Sequence, residues 1–134
     1  MFTADINWVA LLVAAVVKFA IGGIWYAPPV FGTRWQALTS QTPEMVKERM
    51  GQAMTTDLVM SFITAVVLAH AMQATGLHGW QAGAELGCLA WLGFVAPTLR
   101  AAYAYEGRSL ILYAINAGYL LVSFAVMGAI IGGW

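Results

Sequence analysis

Lys18, Glu85, His70 and Asn116 are the side chains best able to do chemistry, because each falls inside a long apolar stretch of the chain. A charge at membrane depth costs about 2.5–3.5 kcal/mol on insertion scales, so it usually turns into a helix bundle and finds a partner. Lys18 has Ala14 and Gly22 four residues to either side, on one helical face. That small–Lys–small stripe suits close helix contact. Its ammonium fits two roles: the lining of an ion or solute path, or a structural charge that is either paired or drawn along its stem to the interface. Glu85 lies one turn inside the far end of the third apolar stretch, and Lys18 lies deeper by about 10 Å at about 1.5 Å rise per residue. The two long side chains nearly close that gap, so Glu85 is read either as a carboxylate coupled to Lys18 or as one hydrated at the rim.

Asp57 and Arg100 fall at similar depth on the second and third stretches, and the spacing predicts a structural ion pair between them. Asp57, Ser61 and Thr64 share one helical face. So do Tyr113, Asn116 and Ser123, with Tyr119 at the edge. These stripes predict a polar seam, of the kind that more often joins helices by hydrogen bonds than conducts anything. His70 points away from the Asp57 face. Haem ligation is disfavoured, since the other histidine, His78, sits in a loop. A packing histidine fits better.

No catalytic set stands out. Ser61, Ser109 and Ser123 have no histidine in register, and no glycine loop has the phosphate-binding pattern. The single cysteine, Cys88, cannot form an intrachain disulfide and falls short of a cysteine-based metal site. Six basic and six acidic residues give no net charge and no basic block, so nucleic acid is not an expected partner. The chain is expected not to be an enzyme and to carry no cofactor or metal.

The elements that hold these residues follow from composition. Hydrophobic residues make up 61% of the 134 and charged residues 9%, too few charges to cover a water-exposed surface. A spanning helix needs about 20 mostly apolar residues. Residues 6–27, 54–75, 81–103 and 109–133 qualify. Backbone groups in lipid must be satisfied within the segment, which favours helices, and the runs lack the alternation of a membrane barrel. The expected fold is an all-α membrane bundle of four transmembrane helices in a single domain, 1–134. The first ten residues carry only Asp5 as a charge, unlike a cleaved leader.

Residues 28–53 form the long link. Pro28-Pro29 ends the first span. Phe31, Trp35 and Leu38 recur at helical spacing beside Arg34, suggesting a short interfacial helix. Thr42-Pro43-Glu44 then reads as cap, first position and first-turn acid of a helix continuing into span 2. Short connections at 76–80 and 104–108 predict that spans 2–3 and 3–4 are antiparallel neighbours. Pro97 is expected to kink span 3. Arg34, Lys47, Arg49 and Arg108 all lie in the first and third links, so the positive-inside rule puts those in the cytoplasm and both termini outside. Trp8, Trp25, Trp35, Trp80 and Trp134 fall at interfaces as an aromatic belt, while Trp91 is deep. Gly83 and Gly87, with Gly128 and Gly132, repeat every four residues and mark helix-packing faces within or between chains.

The run Gly22-Gly23-Ile24-Trp25-Tyr26-Ala27-Pro28-Pro29-Val30-Phe31-Gly32, followed by Trp35, resembles the DUF1761 family of small bacterial membrane proteins. A looser likeness runs through Trp91-Leu92-Gly93-Phe94, Pro97, Glu106, Arg108, Asn116, Gly118-Tyr119 and Met127-Gly128. The resemblance spans nearly the whole chain. It implies a four-helix membrane fold and supplies no substrate, cofactor or catalytic residue.

From the residues themselves, the expected function is that of a non-catalytic membrane protein, a small homo-oligomer or an accessory subunit of a larger complex; the resemblance implies that the membrane is the bacterial inner membrane. The alternative is an ion or small-solute transporter or channel using Lys18 and Glu85.

Overall fold

The computed structural model describes residues 6–134, so Asp5 lies outside the described residues. All regular structure among them is helical. The first span is α1, Trp8–Trp25. Asn7 caps it, its side-chain oxygen accepting from the Ala10 amide at 3.2 Å. Past Tyr26, Pro28–Gly32 forms one wide turn in which the Gly32 amide donates to the Ala27 carbonyl at 3.0 Å. The short helix α2, Thr33–Thr39, follows and stops where Ser40 turns left-handed at φ 57°.

Thr42 then caps α3, Pro43–Thr75, accepting from the Met45 amide at 3.2 Å. The helix runs unbroken for 33 residues. At about 1.5 Å per residue that is about 50 Å, against about 30 Å of hydrocarbon. Its first three turns are almost entirely exposed and project beyond the bundle.

The third span consists of α4, Trp80–Ala90, and α5, Ala96–Glu106, joined by a wide turn at Trp91–Val95. The Ala96 amide there donates to the Trp91 carbonyl, five residues back. Pro97, which has no N–H, comes just after it, so the irregularity expected at the proline takes the form of an inserted residue. The last span is α6, Leu110–Gly133, started by the Ser109 hydroxyl accepting from the Ile111 and Leu112 amides at 3.0 and 3.4 Å.

The centre of the bundle is α6. The helices α1 and α3 pack on each other and on α6, while α4 makes the most extensive contact with α6 from the other side. The core of the first group is Leu11, Ala14, Ala65, Leu68, Ala69 and Met127. Half of it is alanine, as expected where lipid supplies no hydrophobic drive and helices associate by close packing. The outside is the apolar side. Val9, Leu12, Val16, Val59, Ile63, Val67 and Leu89 are all exposed, and Phe94 is 80% so. All four spans are long and apolar enough to cross a membrane. An exterior this apolar suits lipid, and the molecule is an all-α membrane bundle.

Spans 2 and 3 differ from expectation. Despite their short connection, α3 meets α4 only lightly, and the third span goes to α6 instead. Backbone contact explains this. A methyl group at Gly83 would strike the Gly128 carbonyl, and one at Gly87 the Phe124 carbonyl, while Gly132 lies against Gly79 and Gly83. The glycine faces are therefore consumed within the chain. The Gly79 amide, donating to the Gly132 carbonyl at 2.9 Å, ties the far ends together.

Candidate intramembrane polar site

The antiparallel contact of α1 with α3 brings Lys18 opposite Asp57. Lys18 is 5% exposed. Its ammonium donates to Asp57 Oδ1 at 3.0 Å and to the Tyr119 hydroxyl of α6 at 3.1 Å, and it lies 5.0 Å from the centre of that ring. The same hydroxyl donates back to the Lys18 carbonyl at 3.4 Å. Ser61, one turn along α3, donates to the same Asp57 oxygen at 3.5 Å. Gly22 makes room, since a Cβ there would sit 3.0 Å from the Tyr119 hydroxyl. The stripe Ala14–Lys18–Gly22 thus does two jobs: Ala14 closes on α3 and Gly22 admits Tyr119.

A second layer lies toward the α1 C-terminus. Tyr26 donates to Asn116 Oδ1 at 2.6 Å, and Asn116 Nδ2 donates to the Tyr103 hydroxyl at 2.7 Å. The Tyr26 ring meets Tyr119 edge-on with centres 5.3 Å apart, joining the two layers. The Arg108 guanidinium covers the Tyr103 ring at 5.1 Å. Two indoles complete the arrangement: Trp25 donates to the Ile115 carbonyl at 3.0 Å and Trp91 to the Ala117 carbonyl at 2.9 Å. Residues 115–119 of α6 are therefore held by side chains from α1, from the turn after it, and from the wide turn and second half of the third span.

Such a cluster can hold a cation against a carboxylate and a phenol, with the ammonium kept from bulk water and the carboxylate partly open to it. Among the described residues no three His, Cys, Asp or Glu side chains converge as metal ligands would.

Asp57 and Arg100 are not an ion pair. Because α3 packs on α1 and not on α5, Asp57 faces Lys18. Arg100 instead covers the Tyr113 ring at 5.7 Å, and the Tyr113 hydroxyl donates to the Ala96 carbonyl at 3.0 Å. Glu85 is not brought to Lys18 either. It is exposed on the far side of α4, with α6 packed between that helix and α1. His70 Nδ1 lies 2.8 Å from the Val66 carbonyl of its own helix and, since a carbonyl only accepts, must be the donor. Of the two polar stripes, Asp57, Ser61, Asn116 and Tyr119 join the network. Thr64 bonds back to Met60 at 3.1 Å, and the Ser123 hydroxyl is buried without a partner among the described residues.

The family model described as "Protein of unknown function (DUF1761)" matches residues 9–132. The chain belongs to the DUF1761 family. No curated protein and no solved structure matches it. In this DUF1761 protein the segment that carried the resemblance supplies Trp25 and Tyr26 to the network. Read from sequence, Trp25 looks like an interfacial belt residue and Tyr26 is only part of the motif. The polar end of each ring was the signal that both could bond inward. Tyr103 carried no signal beyond its type.

Proposed function

We propose that this protein is a non-catalytic component of the bacterial inner membrane that works by packing against another membrane chain, either its own copy or a larger complex. Glu85 carries this reading. It is exposed on α4 about 7–8 Å along the axis from Trp80, at about 1.5 Å per residue. It shares a face with Gln81, Leu89 and Leu92, all exposed. A carboxylate on a lipid-facing stripe is costly when left to hydrocarbon, and a donor from a neighbouring chain removes that cost. The charge that could most readily serve transport, Lys18, is already satisfied inside the bundle. The glycine faces are occupied too, so the outward stripe of α4 is the contact surface in this reading. In this reading the basic links face the cytoplasm and both termini the outer side of that membrane. The protein extracted in mild detergent or lipid discs is expected to run as an oligomer or with a partner, and Glu85→Leu to release it. A monodisperse monomer across several detergents and lipids, or an assembly unaffected by Glu85→Leu, would overturn the proposal.

A second reading, passage of an ion or small solute, has one observation in its favour. Lys18 is buried while its partner's side chain is 38% exposed, so the pair reaches from the core to the surface. It predicts that Lys18→Met abolishes flux in liposomes while the protein still folds. Unchanged flux in that variant removes it.

A further inference from the structure

A groove of about 390 Å³ opens on the membrane side of the link end of the bundle, between the turn after α1 and the first turns of α6. Its walls are Phe31, Leu110, Ile111, Ala114 and Ile115, and Arg34 stands at its lip. Phe31 is fixed from behind by Trp25, the ring centres 5.0 Å apart, and Trp25 is itself bonded to the Ile115 carbonyl. The apolar wall is therefore built into the network that holds α6. Arg34 is exposed and forms no ion pair among the described residues, unlike Arg108, which pairs with Glu106 at 3.0 Å.

We propose that this groove is a binding site for an anionic phospholipid, one acyl chain lying along Phe31, Ile111 and Ala114 and the headgroup phosphate against the Arg34 guanidinium. The complementarity has two parts. The walls are hydrocarbon and continuous with the lipid-facing exterior, so the occupant needs an apolar chain. The lip carries an unneutralised, fork-shaped cation at headgroup level, which suits a phosphate ester. The neighbouring α2 carries Trp35 and directly follows the end of the first span, the place expected of an interfacial helix. A zwitterionic lipid fits the walls equally but brings its own ammonium to the lip, and so loses the advantage of Arg34. Free phosphate has the charge and lacks the chain.

The test uses the full chain, delipidated in mild detergent, with retention of dioleoyl phosphatidylglycerol and dioleoyl phosphatidylcholine compared by native mass spectrometry. One basic residue at an anionic surface supports a preference of about fivefold for the anionic lipid. Arg34→Gln should bring the ratio to one while leaving phosphatidylcholine binding intact. Ala114→Phe, which fills the groove, should weaken both lipids. Arg49→Gln on the projecting part of α3 should change neither. Glycerol phosphate at the same concentration should not compete. Equal retention of the two lipids by the wild-type chain, or a preference that survives Arg34→Gln, overturns the proposal. Competition by glycerol phosphate would reassign the site to a soluble anion and overturn it as well. Arg34 and Ala114 are both exposed, so neither substitution threatens folding.

Discussion

Asp57 and Lys18 form one ion pair, yet removing each should have different consequences. Lys18 is buried and its ammonium has only these partners, whereas the Asp57 side chain is 38% exposed and can turn toward water or headgroups. Asp57→Asn leaves an ammonium in the core with only neutral acceptors, and is expected to cost about 2 kcal/mol, between the values for exposed and fully buried pairs. Lys18→Met removes the buried charge and keeps the volume, so its cost should be below about 1 kcal/mol. Tyr119→Phe removes one acceptor from the ammonium and is expected to cost about 1 kcal/mol. Unfolding titrations in mixed detergent micelles would rank the three, and a Lys18→Met variant as unstable as Asp57→Asn would contradict the order. Sequence shows that Lys18 is deep and which small residues share its face. It does not show which carboxylate it meets, because Asp57 and Glu85 both lie within reach of a long side chain and only helix pairing decides between them. Arg100 makes the same point. Depth put it level with Asp57, but depth fixes only one of the three coordinates needed for contact.

The helices were the legible part of the chain, for a simple reason: the bilayer sets their length, and the Thr42 cap with Pro43 and the Pro28-Pro29 stop mark ends, to which the structure adds the Asn7 and Ser109 caps. Their neighbours were not. A short connection makes two helices antiparallel without making them pack, and backbone contact through glycine outweighs chain proximity here, carrying α4 away from α3 and onto α6. The two kinds of glycine in this fold can be separated by experiment. Gly83→Ala places a methyl group against the Gly128 carbonyl, which is backbone and cannot rotate away, so α4 and α6 must part. An overpacking cost of about 1–3 kcal/mol is expected. Gly51, in the projecting part of α3, has nothing within 4 Å of an added Cβ. Gly51→Ala there should stabilise the helix by about 0.5–1 kcal/mol through propensity alone. Both can be read from the same thermal unfolding assay in detergent. Opposite signs are the expected result, and a harmless Gly83→Ala would mean that α4 and α6 do not pack at backbone distance.

As a whole, the molecule is electrically lopsided along its long axis. Because four spans cross in alternation, the end of α1, the start of α3, the end of α5 and the start of α6 share one side. That side carries Arg34, Lys47, Arg49 and Arg108, and it also carries α2 and the projecting turns of α3. The other side presents residues 76–79 and the α6 terminus, with no lysine or arginine. Translocating basic residues is what the positive-inside bias resists, so the basic side should face the cytoplasm. The proposals for Arg34 and Glu85 assign them opposite ends of the bundle, so orientation decides which leaflet supplies the lipid and at which depth a partner must meet α4. Single cysteines at Ser40, Glu106 and His78, in a Cys88→Ala background, separate the two possible orientations. All three positions are exposed. An impermeant maleimide added to intact cells should label the His78→Cys chain and spare the other two, which should react only after permeabilisation. The opposite pattern would invert the molecule. Labelling of Ser40→Cys and His78→Cys together from outside would mean that the chain inserts in both directions, which a charge bias this one-sided argues against.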